Sequence, residues 1–281
     1  MAITNFIPEV WSPRILENIR TSLVFGGPSI VNRDYEGEIR NAGDTVRINS
    51  IGALTVGSYT QNTDIASPEV LSDDTRSLVI DQSRYTNFTL DDVDRAQANA
   101  NLMDAAMRQA GYDLAKDMDG YLAGLMADEA TDITGDITDA TPSAESAYED
   151  LVDLMTALDE ADCPRDGRFV VVSPAFHGLL LRDNRFVDAS RSGSTDALRN
   201  GRAGNAAGFD IFTSNQVPAG GAEGTKAILA GHRQATTVAE QVNKVEAYRL
   251  EARFADAVKV LMVYGAKVIR PEFLVKADLT V

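Results

Sequence analysis

Apolar residues recur at steps of three and four from residue 93 to residue 125, and this pattern predicts one long amphipathic helix. Thr89, with Asp92 three residues later, fits a capping box at the start of the helix. A helix of about 35 residues is roughly 50 Å long, about three times the usual length. Two arrangements suit such a helix: a coiled coil with a second copy, or a spine on which the rest of the chain packs. Its three interior glycines favour the spine.

Two strand-like patterns precede the helix, at residues 44–56 and 78–90. The segment between them, GSYTQNTDIASPEVLSDDTRS, is polar and contains Pro68. Two strands joined by about twenty weakly structured residues make a long hairpin, and an isolated hairpin is only marginally stable in water. The pattern therefore predicts that the hairpin packs on another molecule.

The N-terminal pattern predicts a short amphipathic helix that begins at Ser12-Pro13 and stops at Gly26-Gly27-Pro28. Two interpretations stay open for this helix. It packs on the core of its own chain, or it forms an arm that docks on a neighbouring molecule.

Helix and strand patterns alternate from about residue 143 to residue 250, which predicts a mixed α/β domain. The predicted elements are a helix from Thr141-Pro142 to before Pro164, a strand at Phe169–Val172, a short helix at Pro174–Leu181, and strands at FDIFT and KAILAG. A glycine-rich segment, residues 190–208, interrupts them and is predicted to be flexible.

A last strand alternates from Val258 to Tyr264 and ends before Pro271. Gly265 indicates a bulge or bend in it. We expect this strand to pair with the early strand near residue 46, which would join the two ends of the chain in one domain.

Composition excludes several functions. The net charge is −16, and an acidic surface repels phosphate backbones, so sequence-specific recognition of nucleic acid is not expected. The chain has one cysteine, Cys163, and two histidines, His177 and His232, without partners at metal-ligand spacing. No basic leader or apolar run of eighteen residues occurs, so neither a signal peptide nor a membrane span is expected.

The remaining candidates for chemistry are incomplete. Asp117, Asp119 and Gly120 resemble part of a calcium loop, but Ala115 stands where a further acid is required. GRAGNAAG (201–208) lacks the lysine and the strand–turn–helix frame of a phosphate-binding loop. We therefore predict no catalytic residue, no metal ligand and no cofactor-binding residue, and the chain is not expected to be an enzyme.

The order of these elements, with four stretches of sequence, resembles the HK97-fold major capsid proteins of tailed bacteriophages. The stretches are NRDYEGEIRNAGDTVRI, LVIDQSRYTNFTLDDVD, GFDIFTSNQVP and VYGAKVIRPE, which together extend from residue 32 to residue 272. The resemblance implies an α+β fold with an N-terminal arm, an extended E-loop hairpin, a long spine helix with a peripheral sheet, and a mixed α/β axial domain.

The resemblance also implies a division of the chain. Residues 1–30 would be the N-terminal arm, and residues 31–142 the E-loop hairpin and spine helix of the peripheral domain. Residues 143–250 would be the axial domain, and residues 251–281 C-terminal strands that return to the peripheral domain. The hairpin would then lie on the adjacent subunit.

The implied function is a major capsid protein that forms pentamers and hexamers around double-stranded DNA, which it contacts without sequence specificity. Assembly would occur in the cytoplasm of a host bacterium, and the product would be the virion. The implied partners are other copies, a portal and, in some shells, decoration proteins. Because the chain begins almost at the N-terminal arm, a separate scaffolding protein is expected. No membrane partner is expected.

Some relatives cross-link covalently through an E-loop lysine, but no lysine occurs in the first 115 residues here, so we expect no such cross-link. Arg47, Tyr59 and Arg76, around the E-loop, are predicted to contact neighbouring subunits. Three rival functions stay open: the shell of an encapsulin-like bacterial compartment, a tail-tube subunit, and an enzyme or small-ligand binder built on the axial domain.

Overall fold

The computed structural model describes residues 23–34, 45–51, 58–59, 61–62, 64, 67, 73–91, 102–183, 204–252 and 254–280. Three helices are described: α1 Leu102–Glu129, α2 Ala147–Glu160 and α3 Pro174–Leu180. The described strands are β1 Thr45–Ile51, β2 Asp73–Val79, β3 Gln82–Asp91, β4 Thr131–Asp132, β5 Arg168–Val172, β6 Asn205–Ala206, β7 Phe209–Thr213, β8 Thr225–His232, β9 Thr236–Arg249, β10 Ala255–Val268 and β11 Leu274–Thr280.

Helix α1 is the predicted spine, and it continues without a break through all three glycines. Its 28 residues correspond to about 42 Å of helix. The predicted apolar stripe is its buried face, which includes Met107, Leu114 and Met118. The first part of the predicted helix, residues 92–101, lies outside the described residues, as do most of the predicted N-terminal helix and residues 190–203 of the glycine-rich segment.

A three-stranded antiparallel sheet, in the order β3-β10-β9, packs one face against α1. The alternation predicted for β10 is confirmed, because Val258, Val260, Met262 and Tyr264 are all buried on that face. Tyr264 meets Tyr121 of α1 edge to face, with ring centroids 5.5 Å apart. On the opposite face, Ala239 and Val263 are buried at one end under Leu78 and Ile80, whereas Tyr85 and Leu261 are exposed.

The predicted pairing of β10 with the strand near residue 46 is wrong. In the described residues β10 pairs with β3 and β9, whereas β1 pairs only with β2. The reason is a break at Ile80 and Asp81, which divides the predicted return strand into β2 and β3 and places the two halves in different sheets. Strand β9 was not predicted, because its charged and polar residues obscure the alternation of apolar and polar positions.

A six-stranded mixed sheet, in the order β4-β11-β8-β5-β7-β6, forms the second unit. All five residues of β5 are buried. Helices α2 and α3 cover one face with Leu151, Leu154 and Phe176, and Phe169 and Val171 on the other face join the core around α1. The last strand, β11, pairs with β8, so of the C-terminal strands only β10 lies in the three-stranded sheet.

Helix α2 begins later than its predicted start at Thr141-Pro142. Ser143 and Ser146 form a turn before the helix, and the Ser146 hydroxyl donates to Asp139 Oδ2 at 2.8 Å.

None of the helices in the described ranges is both long and apolar enough to cross a membrane.

Candidate functional site

Burial shifts the pKa values of the single cysteine and of both histidines. Burial raises the pKa of the Cys163 thiol, which is the opposite of the change that activates a nucleophile. Burial lowers the pKa of His177 and of His232. His232 Nε2 lies 2.8 Å from the Asp166 carbonyl, and its Nδ1 accepts from the Gln234 N–H, which fits a neutral imidazole. In the described part of the chain, no group of three or more potential metal ligands occurs.

The two aspartates of the incomplete calcium loop lie inside α1 and serve different partners. Asp117 Oδ2 pairs with Arg84 Nε of β3 at 2.7 Å and lies 3.4 Å from the Tyr264 hydroxyl. Burial and the nearby Asp117 raise the pKa of Tyr264 to about 12. The pair therefore joins the spine helix to the three-stranded sheet.

Asp119 fastens residues 23–34, which follow the predicted N-terminal arm, to the spine helix. Its buried carboxylate accepts from the backbone N–H groups of Val24, at 2.7 Å, and Gly26, at 3.0 Å. Burial raises the pKa of Asp119, and these N–H groups oppose that rise. Arg33 adds a second attachment through Glu240 of β9, with Nη1 and Oε1 2.6 Å apart. Residues 23–34 are therefore attached to α1 at one end and to β9 at the other.

The hairpin β1–β2 is joined to the rest of the molecule at its base. Leu78 and Ile80 are buried with Ala239 and Val263 in a small separate core. Gly265 of β10 lies so close to the base that an added Cβ would come within 2.9 Å of Ile80 Cα and collide with the Val79 carbonyl oxygen. The predicted bend at Gly265 is therefore a close approach of two backbones, and the bulge in this sheet lies elsewhere, between β9 and β10 near Leu261.

The three predicted contact residues are dispersed along the hairpin. Arg47 lies opposite Ser77 in the ladder of β1 and β2. The Tyr59 side chain is 71% exposed. Arg76 turns toward its own chain, with Nη1 3.5 Å from the Val268 carbonyl oxygen. A single chain does not test whether these residues contact a neighbour, so their role stays a prediction.

The outer face of the three-stranded sheet was not predicted as a functional surface. It presents Tyr85 of β3, 76% exposed, beside Leu261 of β10, and Tyr248 of β9 further along. Lys259 and Glu246 form an ion pair at 2.6 Å between them. Tyr85, Leu261 and this ion pair border a shallow cavity of about 490 Å³. The strand register that aligns Tyr85 with Leu261 is what creates the patch, and no local sequence pattern specifies that register.

Asp150 of α2 is the most perturbed carboxyl group among the described residues. It is fully buried, and neither of its oxygens has a hydrogen bond of good geometry. Burial raises its pKa to about 7; the backbone of Asp139 opposes the rise, whereas the carboxylates of Asp139, Asp153 and Glu149 add to it. We therefore expect the stability of the six-stranded unit to depend on the protonation of Asp150.

Comparisons with known proteins agree with this architecture. A family model described as "Phage capsid protein" matches residues 73–277, from β2 to β11. A structure from Mycobacterium phage Che8 is 31% identical in sequence, covers 91% of this chain and 90% of its own, and superposes with a TM-score of 0.76. No curated protein sequence matches the chain.

Two more distant structures show the same fold. The capsid of Cyanophage P-SCSP1u is 18% identical and has a TM-score of 0.69, with 85% of this chain and 84% of that chain covered. A virus-like particle from Pyrococcus furiosus is 15% identical and has a TM-score of 0.57, with 96% and 98% covered. At these identities the likeness concerns the fold alone.

Proposed function

The chain belongs to the phage capsid protein family, and we propose that its copies assemble as pentamers and hexamers into a closed icosahedral head around double-stranded DNA. Membership makes it a structural capsid shell protein, with the HK97-like fold that was expected from the sequence. The proposal is carried by one observation: the family match extends across the three-stranded sheet, the six-stranded sheet and the spine helix.

In the proposed shell, each part of the chain has a mechanical role. The three-stranded sheet and α1 form the peripheral domain, and the six-stranded sheet with α2 and α3 forms the axial domain near the capsomer axes. The hairpin β1–β2 lies over the adjacent subunit; its described attachments to its own chain are at Arg76, Leu78, Val79 and Ile80, toward its base. Many modest contacts repeated by symmetry then stabilise the closed particle.

The acidic character of the chain suits a container for nucleic acid. A net charge of −16 gives little attraction for a phosphate backbone, so packaged DNA would be touched without sequence specificity. We expect assembly in the host cytoplasm, with a separate scaffolding protein, a portal and, in some shells, decoration proteins as partners. These partners rest on the family resemblance.

Electron microscopy of the purified protein, expressed alone and with its scaffolding protein, tests the proposal together with light scattering. We expect closed shells of uniform size built from pentamers and hexamers. A monodisperse monomer under both conditions would contradict assembly, and tubes would favour a tail protein. DNA inside particles from infected cells supports a phage head, whereas enclosed enzymes would identify a bacterial compartment.

Covalent cross-linking is a separate question that an SDS gel of mature particles answers. The hairpin and all residues before it lack lysine, so no lysine is available there for an isopeptide bond. We expect a single band at the mass of the monomer. A ladder of covalent multimers would contradict this prediction.

A further inference from the structure

The two edges of the three-stranded sheet differ in how they are protected against pairing with another strand. Natural proteins protect exposed edge strands with bulges, charges or a covering segment. Edge strand β9 has all three. Asn243 is an extra residue in its ladder with β10, and Glu240, Lys244, Glu246 and Arg249 are charged. The backbone of Asn32 covers its start, through bonds to Thr236 and Val238 of 2.9 Å each.

Edge strand β3 has no bulge and no covering strand among the described residues, and its only charged residues are Arg84 and Asp91. Its ten residues, QSRYTNFTLD, contain no proline, no lysine and no bulge against β10. Among the described strands it pairs only with β10, so the backbone N–H and C=O groups along its outer edge have no partner strand within the described residues. Arg84 is its one basic residue and is already paired with Asp117. Such an edge favours the addition of a strand.

The surface beside this edge is also suited to contact. The side chains of β3 on the outer face are Ser83, Tyr85, Asn87 and Thr89, which are all uncharged and exposed. Tyr85 and Leu261 border the shallow cavity of about 490 Å³ described above. Tyrosine is enriched in the cores of protein interfaces, and exposed apolar side chains beside it add buried area.

We propose that the free edge of β3 accepts an extended segment from a second copy of this chain, which adds a fourth strand to the three-stranded sheet. The inference rests on the proposed function, since a shell brings copies into contact. Two chains that each carry a net charge of −16 repel one another over most of their surfaces. A strand edge with few charged side chains, where backbone hydrogen bonds supply the affinity, is a place where they can meet.

Hydrogen–deuterium exchange of assembled shells and of unassembled subunits tests this inference. About half of the ten amides of β3 point away from β10, because N–H groups alternate along an antiparallel strand. We expect these amides to exchange rapidly in subunits and at least about tenfold more slowly in shells made only of this chain and its scaffold, since a tenfold change corresponds to about 1.4 kcal/mol. Peptides from 236–249, at the protected edge, should change little.

Each other outcome overturns the inference in a distinct way. Slow exchange in subunits would mean that β3 is already covered by its own chain. Equal exchange in subunits and shells would leave assembly intact but remove the added strand. Protection only in complete virions would assign the edge to a different protein. Failure to form shells under any condition would contradict the proposed function itself, and this inference with it.

A pair of tyrosine variants provides an independent test. Tyr85→Lys places a charged, edge-blocking residue on β3, and Tyr112→Lys makes the same change at an exposed tyrosine of α1. Both variants should fold, because both side chains are mostly exposed. We expect Tyr85→Lys to lower the yield of shells at least about tenfold and Tyr112→Lys to leave it unchanged. Normal shells from Tyr85→Lys would overturn the inference.

Discussion

The six-stranded sheet and the three-stranded sheet differ in how much of their surface is covered by other described residues of the same chain. The central strands of the six-stranded sheet are buried on both faces, under α2 and α3 on one side and against the core around α1 on the other. Among the described residues, the three-stranded sheet is buried along the face against α1 and only near the hairpin base on its other face, and one of its edges has no covering strand. The difference separates a unit whose folding is completed within the chain from one that leaves surface for a neighbour.

The largest expected loss of unfolding free energy comes from a substitution in the core of the six-stranded unit. Phe169→Ala empties a fully buried position in β5, and large-to-small changes of this kind cost about 3–5 kcal/mol. Denaturant unfolding of unassembled subunits should show this loss. Phe254→Ala is the matched control, because Phe254 is 79% exposed and its removal should cost less than about 0.5 kcal/mol. Equal costs for the two variants would contradict the assignment of the core.

A second variant tests whether the stability of the six-stranded unit depends on pH through Asp150. The folded-state pKa of Asp150 is raised from 3.8 to about 7, so its contribution to stability is full below pH 3.8 and is lost as the pH rises through about 7. Asp150→Asn removes this dependence. From pH 5.5 to 7, the unfolding free energy of the wild type should fall relative to the variant by at most about 1.4 kcal/mol per pH unit. Parallel profiles would contradict a buried, unsatisfied carboxyl group.

The junction between the three-stranded sheet and the hairpin is tested by adding one methyl group. Gly265→Ala would collide with the backbone of Val79 and Ile80, so we expect a loss of about 1–3 kcal/mol in unfolding experiments and poor assembly. Gly124→Ala is the control, since its Cβ meets no atom within 4 Å and α1 should gain about 0.5–1 kcal/mol. A neutral result at Gly265 would show that the hairpin base can shift freely.

Features that depend on residues close together in the sequence could be predicted, whereas features that depend on residues far apart in the sequence could not. The spine helix and the buried face of β10 were predicted because their periodicity is local. The pairing of β10 was mispredicted because alternation gives the face of a strand but not its partner. Strand β9 was missed because its charged residues lie on an edge, where burial does not select apolar side chains.

The candidate contact surfaces were harder to predict for a related reason. Arg47, Tyr59 and Arg76 were chosen for their position near the hairpin, and Arg76 contacts its own chain at Val268. The outer patch needs Tyr85 and Leu261 to be aligned across two strands that are far apart in sequence. No single stretch of sequence contains that information, whereas the family resemblance does carry the overall arrangement.

The smallest expected effect on the subunit is at Leu261 of β10, whose neighbour Met262 points to the opposite face of the three-stranded sheet and serves as the comparison. Leu261 is 37% exposed on the outer face, so Leu261→Ala should cost less than about 1 kcal/mol in unassembled subunits. Met262 is fully buried against α1, and Met262→Ala should cost about 2–5 kcal/mol there. If neighbouring copies cover the outer face, the order reverses for assembly among folded subunits, and Leu261→Ala lowers the yield of shells measured by light scattering. An unchanged yield would mean that this face stays in solvent, and the contrast between the two sheets would then describe only the subunit.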